Sequence, residues 1–295
     1  MPATRSTVRE RIDAGGKSYS FEFFPPKTTE GMRHLWDAIR RLEPLAPTLV
    51  SVTYGAGGTT RDRTVGITRE IAQETTLTPM GHLTCVGSTV AELRAVIAGY
   101  ANAGVYHVLA LRGDPPGGPQ AQWTPTPGGL EHADELVDLL ASLGDFSIGV
   151  AAFPDVHPSS PSLEFDVAVL KDKQDRGADF AMTQMFFEVD SYFRLVDAAS
   201  NAGVTMPIIP GVMPVTNVRQ LVRFAELQGS PLPAAMVERF EAIKDDASAV
   251  VELGVEYASE LSSGLLAGGA PGLHFFTLNR SFSTLRVYRD LGLTV

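Results

Sequence analysis

Short apolar runs and longer helical stretches alternate along the chain with a regular beat. Strand-like runs recur near 18–24, 48–54, 79–86, 105–112, 147–153, 180–187, 207–213 and 273–278. Between them, apolar residues at helical spacing predict helices near 30–42, 62–74, 89–102, 131–143, 162–176, 190–202, 217–227 and 281–291. A broken helical stretch covers 233–262, with Pro233 near its start. The clearest helix is 89–102: Thr89 and Glu92 form a capping-box pattern, and Val90, Leu93, Val96, Ile97 and Tyr100 make one apolar stripe. Gly104 supplies the stop. Eight strands, each followed by helix, predict an α/β fold of the (β/α)8 TIM-barrel type, with one domain over 1–295. Right-handed crossovers would close that sheet without an edge.

A doubly wound dinucleotide fold is the competing architecture. Its glycine fingerprint is best matched at Gly55-Ala-Gly57-Gly58-Thr59-Thr60, which lacks the third glycine, and no Gly-Lys-Ser/Thr phosphate loop occurs. The Gly/Pro-rich stretch 115–129 follows the fourth strand, which in a barrel places it at the C-terminal mouth.

Barrel interiors are normally filled with branched apolar side chains, so ionisable residues on strands stand out. In Tyr19-Ser-Phe-Glu-Phe-Phe24, alternation puts Tyr19, Phe21 and Phe23 against the helices and turns Glu22 inward. Desolvation there is expected to raise the carboxyl pKa and suit Glu22 to general-acid work; the alternative is a Glu paired with a barrel Lys or Arg. Asp114 ends the fourth strand, where Arg112 could pair with it in an ordinary turn. Gln184 is an inward amide, able to contact a heteroaromatic ring or to rest as a satisfied core group. His82 and His157 lie at strand ends, and His34, His107, His132 and His274 complete the six. No histidine spacing supports a metal site, and no nucleophile elbow or Cys–His pair occurs.

Composition narrows the partners. Lys plus Arg is 24 and Asp plus Glu is 34, giving a net charge of −10. Without a basic block this makes the chain a poor candidate for binding nucleic acid through phosphates, so an anionic ligand must rely on local Arg, Lys or helix N-termini. The lone Cys85 excludes an internal disulfide. No run approaches the ~18 apolar residues of a membrane span, and the N-terminus has no apolar signal core, so a cytoplasmic, soluble protein is expected.

Several motifs in order carry a resemblance. Phe21-Glu-Phe-Phe-Pro-Pro-Lys27, Ser51-Val-Thr-Tyr-Gly55, Arg61-Asp-Arg-Thr64, His82-Leu-Thr-Cys85 and Ala110-Leu-Arg-Gly-Asp114 come first. Ala151-Ala-Phe-Pro154, Val156-His-Pro158, Thr183-Gln184, Ile209-Pro-Gly211 and Thr277-Leu-Asn-Arg280 follow. Together they resemble the methylenetetrahydrofolate reductases over nearly the whole chain, from about 20 to 290. The resemblance implies a (β/α)8 barrel that uses NADH or NADPH to reduce 5,10-methylenetetrahydrofolate to 5-methyltetrahydrofolate. It implies Glu22 as general acid and Asp114 as the carboxylate that stabilises a cationic folate. Gln184, Gln220, Phe224 and Arg280 would contact substrate, Arg280 through the anionic glutamate tail; Phe224 could equally be plain helix core. Because the sequence stops at Val295, the regulatory domain of the eukaryotic enzymes is not expected.

For FAD, the resemblance implies contacts from Thr53, Tyr54, His82, Arg112, Gly113, Asp114, Ala133, Ala151, Phe153, His157, Asp166 and Lys173. The pattern departs at His132 and Phe153, where Tyr is usual, at Val169 for Asn, and at Asp172 for a basic residue. Asp172 would set repulsion where attraction is usual, so FAD is expected to be weakly held or dispensable, with direct hydride transfer from the nicotinamide as the alternative. A non-catalytic folate- or flavin-binding barrel is the third reading. Expected partners are these small molecules, with no nucleic acid or membrane, and self-association into a homo-oligomer is left open.

Overall fold

The computed structural model describes residues 7–54, 61–115, 121–229 and 232–293. The glycine-rich 55–60 and part of the 115–129 stretch lie outside them. Eight parallel strands close in sequence order into a barrel: β1 (Ser18–Phe23), β2 (Leu49–Val52), β3 (Pro79–Thr84), β4 (His107–Leu111), β5 (Ser147–Ala152), β6 (Phe180–Met185), β7 (Ile208–Val212) and β8 (Gly272–Phe276). Closure is made by β1 pairing β8, with Glu22 opposite Phe276, while on the other side Glu22 faces Ser51 of β2.

A helix α1 (Val8–Asp13) precedes the barrel. Around it run α2 (Thr29–Leu42), α3 (Arg61–Glu74), α4 (Val90–Asn102), α5 (Ala133–Leu143), α6 (Leu163–Asp175) and α7 (Val189–Asn201). Three helices follow β7, namely α8 (Val218–Gln228), α9 (Ala234–Ala242) and α10 (Ala247–Ala267), and α11 (Ser281–Asp290) follows β8. The expected broken stretch is thus two helices: the Asp246 carboxylate accepts from the Ser248 and Ala249 N–H groups and starts α10 afresh. The Thr89–Glu92 capping box is present, with the Glu92 carboxylate 2.8 Å from the Thr89 N–H. The pattern gave no sign of α1, which at six residues is too short for a period to show. It is fixed instead by its own Thr7–Glu10 capping box and by Val8, buried beneath the barrel. No described helix is long and apolar enough to cross a membrane.

Strand alternation divides the core. Outward residues such as Phe21, Phe23, Val50, Leu83, Val108 and Phe275 pack against Leu35, Ile39, Leu93 and Tyr288 of the helices. Inward, Leu49, Met80, Leu109, Phe180, Met182 and Ile209 fill the floor, closed from below by Val8 with Ile12. Above that floor the interior turns polar: Ser20, Glu22, Ser51, His82, Thr84 and His274 are all buried. The fold therefore places its ionisable groups at the C-terminal mouth, where barrel enzymes work.

Helix α4 lies on β3 through Gly81: a Cβ there would sit 2.5 Å from the Tyr100 ring, and the Tyr100 hydroxyl donates to the His82 carbonyl at 3.0 Å. Gly81→Ala should therefore overpack a tight contact and cost about 1–3 kcal/mol, read from urea midpoints. An unchanged midpoint would show that α4 can retreat without loss.

Candidate active site

Glu22 is 6% exposed, deep enough that its carboxylate needs partners inside the protein. Three strands supply them. The Thr53 hydroxyl, just past β2, donates to Oε1. His274 of β8 brings Nε2 to 3.2 Å from Oε2, and His82 of β3 brings its Nε2 to 3.8 Å from the same oxygen. An ionised carboxylate only accepts, so His274 donates from Nε2, which leaves Nδ1 to accept from the Ser20 hydroxyl at 2.8 Å. Glu22 is therefore held by histidines, not by the Lys or Arg considered from sequence.

The expected upward shift of Glu22 is not what these contacts produce. Burial pushes the carboxyl up, but the charge of His82 and the hydrogen bonds from His274 and Thr53 outweigh it, so the group sits below its ordinary range. Burial meanwhile pushes the His82 imidazole down, against the pull of Glu22. Alternation had identified the inward position; the direction of the shift depends on partners from other strands.

The turn after β8 locks Glu22 from the backbone side. Thr277 donates to the Glu22 carbonyl from both its N–H at 3.1 Å and its hydroxyl at 2.7 Å. The Asn279 amide pairs with Phe24 in both directions at 2.8 Å, accepting from its N–H and donating to its carbonyl. Leu278 and Asn279 take left-handed φ values of 51° and 57° to make this turn. Asn279 belongs to the Thr277-Leu-Asn-Arg280 motif but had no role expected of it, and His274 stood among the unassigned histidines. The same alternation that selected Glu22 would have turned His274 inward.

A second group gathers along β4, β5 and α6. Arg112, His157 and Lys173 act on one another electrostatically, together with Asp166, and Asp114 acts on His157. His157 is anchored through its N–H, which donates to Asp166 at 2.7 Å, and its ring meets Phe153 edge-on at 4.7 Å. Burial, then the Arg112 charge, holds its imidazole below the ordinary value. Arg112 does not pair with Asp114 among the described residues; its guanidinium lies 5.0 Å over the Trp123 ring. Lys173 is only 9% exposed, and no described carboxylate comes within ion-pairing distance of it. Gly113 has φ +83°, and a Cβ there would strike Val86 and Thr84, so the turn between Arg112 and Asp114 requires glycine. Tyr54 and Ala133 are buried and Ala151 is half-buried. Cys85 lies beneath this wall, its thiol donating to the Arg112 carbonyl at 3.3 Å and pushed up by burial to about 12.

The remaining expected residues spread over the rim. Gln184 ends β6, where its Oε1 accepts from the Met185 N–H at 3.0 Å and its amide nitrogen is left for other acceptors. Gln220 and Phe224 lie one turn apart on α8, both half-buried, and Phe224 packs against the cluster containing Met185, Met213 and Leu221. Arg280 is exposed at the start of α11.

Of the expected departures, Asp172 reads differently in place. Its carboxylate accepts from Arg176 Nε at 2.8 Å, so its charge is answered one helical turn away. The repulsion inferred from sequence is thereby reduced. His132 is exposed at the start of α5, and Val169 is half-buried on α6.

An α/β barrel with its ionisable side chains collected at the C-terminal mouth is the layout of a barrel enzyme. Residues 7–292 match the family described as Methylenetetrahydrofolate reductase. The chain is 42% identical to the 5,10-methylenetetrahydrofolate reductase of Escherichia coli over 94% of its length and 92% of that protein. It is 35% identical to Methylenetetrahydrofolate reductase (NADH) 1 of Arabidopsis thaliana, over 97% of this chain and 50% of the plant protein. In fold it is similar to a solved Clostridium thermocellum protein described as binding two copies of 5-methyl-5,6,7,8-tetrahydrofolic acid. That TM-score is 0.67 at 15% identity, covering 97% of each chain. The chain belongs to the methylenetetrahydrofolate reductase family, a family of oxidoreductases.

His82 and His157 both lie below the ordinary imidazole value, so below about pH 6.5 the unfolded chain takes up protons that the native state refuses. Native stability should fall as pH drops through that window, and His82→Gln should flatten the fall. Urea midpoints between pH 5 and 7 decide this; an equal slope in the variant would remove His82 from the account.

Proposed function

We propose that the protein reduces 5,10-methylenetetrahydrofolate to 5-methyltetrahydrofolate with NADH or NADPH, using FAD held along the Arg112–His157–Lys173 wall. The observation that carries this reading is the convergence of two different sites at one mouth: a buried, triply held carboxylate on β1 and a buried cation on α6 that no described carboxylate pairs with. The second suits a diphosphate-bearing dinucleotide. Lys173 and Arg112 offer positive charge, and Thr84 Oγ1 and Trp123 Nε1 are buried polar atoms without partners among the described residues. When bound, the flavin supplies a hydride acceptor and donor between nicotinamide and folate.

The chain's own part is to bind, orient and protonate. Gln184 and Gln220 present amides to the pterin edge, and Phe224 offers an aromatic face. Arg280 is an exposed guanidinium suited to the carboxylates of the glutamate tail. Glu22 gives a proton to N10 of the folate, breaking the bond from N10 to the bridging carbon and leaving a 5-iminium cation that accepts hydride. Asp114 stabilises that cation by charge. Because Glu22 sits low in the free protein, its proton is loaded as folate binds: the ligand excludes water and presents N10, both of which favour the protonated acid. Folate binding then takes up a proton, so its affinity weakens as pH rises.

A second reading, direct hydride transfer without flavin, is favoured by Phe153 and Val169, which bring no hydrogen-bonding group to the flavin wall. The absorbance spectrum of purified protein, before and after adding FAD, separates the two. Visible flavin bands that survive desalting support the first. Full activity of flavin-free protein, with nicotinamide and folate bound together, would overturn it.

Glu22→Gln should lower folate reduction by roughly 10²–10⁴ while flavin reduction by NADH persists, since that half-reaction needs no proton on N10. Calorimetry in buffers of different ionisation enthalpy should show proton uptake with folate in the native protein and none in the variant. Near-native turnover by the variant would remove Glu22 as the acid.

A further inference from the structure

Lys173 poses a physical problem. A buried ammonium is costly unless something answers its charge, and carboxylates stand close by: Asp134, Asp166 and Asp172 all act on it electrostatically. Yet among the described residues none pairs with it. Each nearby acid has another partner. Asp166 accepts from the His157 N–H at 2.7 Å and from the Ser160 hydroxyl. The others converge on Arg176, at the end of α6, whose three nitrogens each take a different carboxylate. Nη2 lies 3.3 Å from Asp134, Nε 2.8 Å from Asp172, and Nη1 contacts Asp138. Asp134 and Asp138 belong to α5, so this one guanidinium also ties α5 to α6.

We infer that Arg176 is a positioning residue: by engaging Asp134 and Asp172 it keeps these acids off the Lys173 ammonium and leaves that cation for a phosphate of the bound dinucleotide. The inference rests on the flavin reading above and adds to it a residue that the resemblance did not point to. It also accounts for Asp172. An acid at that position is tolerable beside an anion-binding cation because its partner sits four residues on, within the same helix. A lysine could not do the same work, since a point charge cannot meet three carboxylates through a planar fork.

The test compares the native protein, Arg176→Ala, and Arg176→Ala combined with Asp134→Asn and Asp172→Asn, with FAD as the probe. Dissociation constants come from flavin fluorescence and thermal midpoints from calorimetry. Arg176→Ala should weaken FAD about tenfold, as one charge-assisted contact to phosphate is diverted. The triple variant should return to within about twofold of native, because neutral side chains cannot capture the ammonium. A native-like constant in Arg176→Ala overturns the inference. So does a loss that the added substitutions fail to restore, which would mark Arg176 as merely joining two helices. A crystal structure of flavin-free Arg176→Ala decides the matter independently of affinity: an acid should move to within about 4 Å of Lys173 Nζ, and an unpaired Lys173 there overturns the inference. Failure of the native protein to bind FAD would overturn the flavin reading, while the crystal structure would still decide the role of Arg176.

Discussion

A carboxylate inside a closed barrel can exist only if its surroundings replace the water it has lost, and much of the mouth is arranged around meeting that demand at Glu22. The required donors cannot come from β1 itself, whose inward neighbour on the chain side is Ser20. They come from the end of β2 and from β3 and β8, and the strand register is what brings them to one height. Ser20 then finds its use at one remove, orienting His274 rather than touching the carboxylate. The Thr277–Asn279 turn keeps the end of β1 from shifting, so the acid has a fixed position as well as fixed partners.

The opposite solution operates at Lys173. There a buried ammonium has no carboxylate partner among the described residues, and the acids around it take other partners. One site is neutralised from within and is thereby held in a resting state. The other is left without an internal carboxylate partner among the described residues, which on the reading proposed above suits it to an anion. An overall charge of −10 makes this local handling necessary, since the molecule as a whole repels anionic ligands. On the reading proposed above, Arg280 at the rim and Lys173 deeper in are the cations suited to such ligands.

Much of the fold was legible in the sequence because its signals are local. All eight strands appear at the expected places with ends a few residues shorter, and the inward turn of Glu22 followed from a period of two. What escaped was set by distance. The direction of the Glu22 shift depends on His82 and His274, which no window around residue 22 contains. Asp172 read as a repulsive departure because it was weighed only against the family's basic residue at that position, although Arg176, one helical turn on and shared with the α5 acids, pairs with it. His274 carried the right signal on β8, but without the closure of β8 onto β1 it had no visible partner.

That closure has a consequence for how the molecule comes into being. Glu22 and His274 are 252 residues apart, and the strands that carry them form the seam of the barrel. During synthesis β1 emerges among the first elements and must wait for nearly the entire chain before its carboxylate meets its histidine. Contacts of such sequence separation form late and slowly, because the loop between them must close first. The floor and outer helices can collapse meanwhile on more local contacts, but the acid site is completed only with the last strand. A truncated chain lacking β8 would thus keep many of its apolar contacts, carry an open seam with unpaired strand edges, and be exposed to association through them. In this barrel the completion of the Glu22 hydrogen-bond set and the removal of the sheet's sticky edge are the same event.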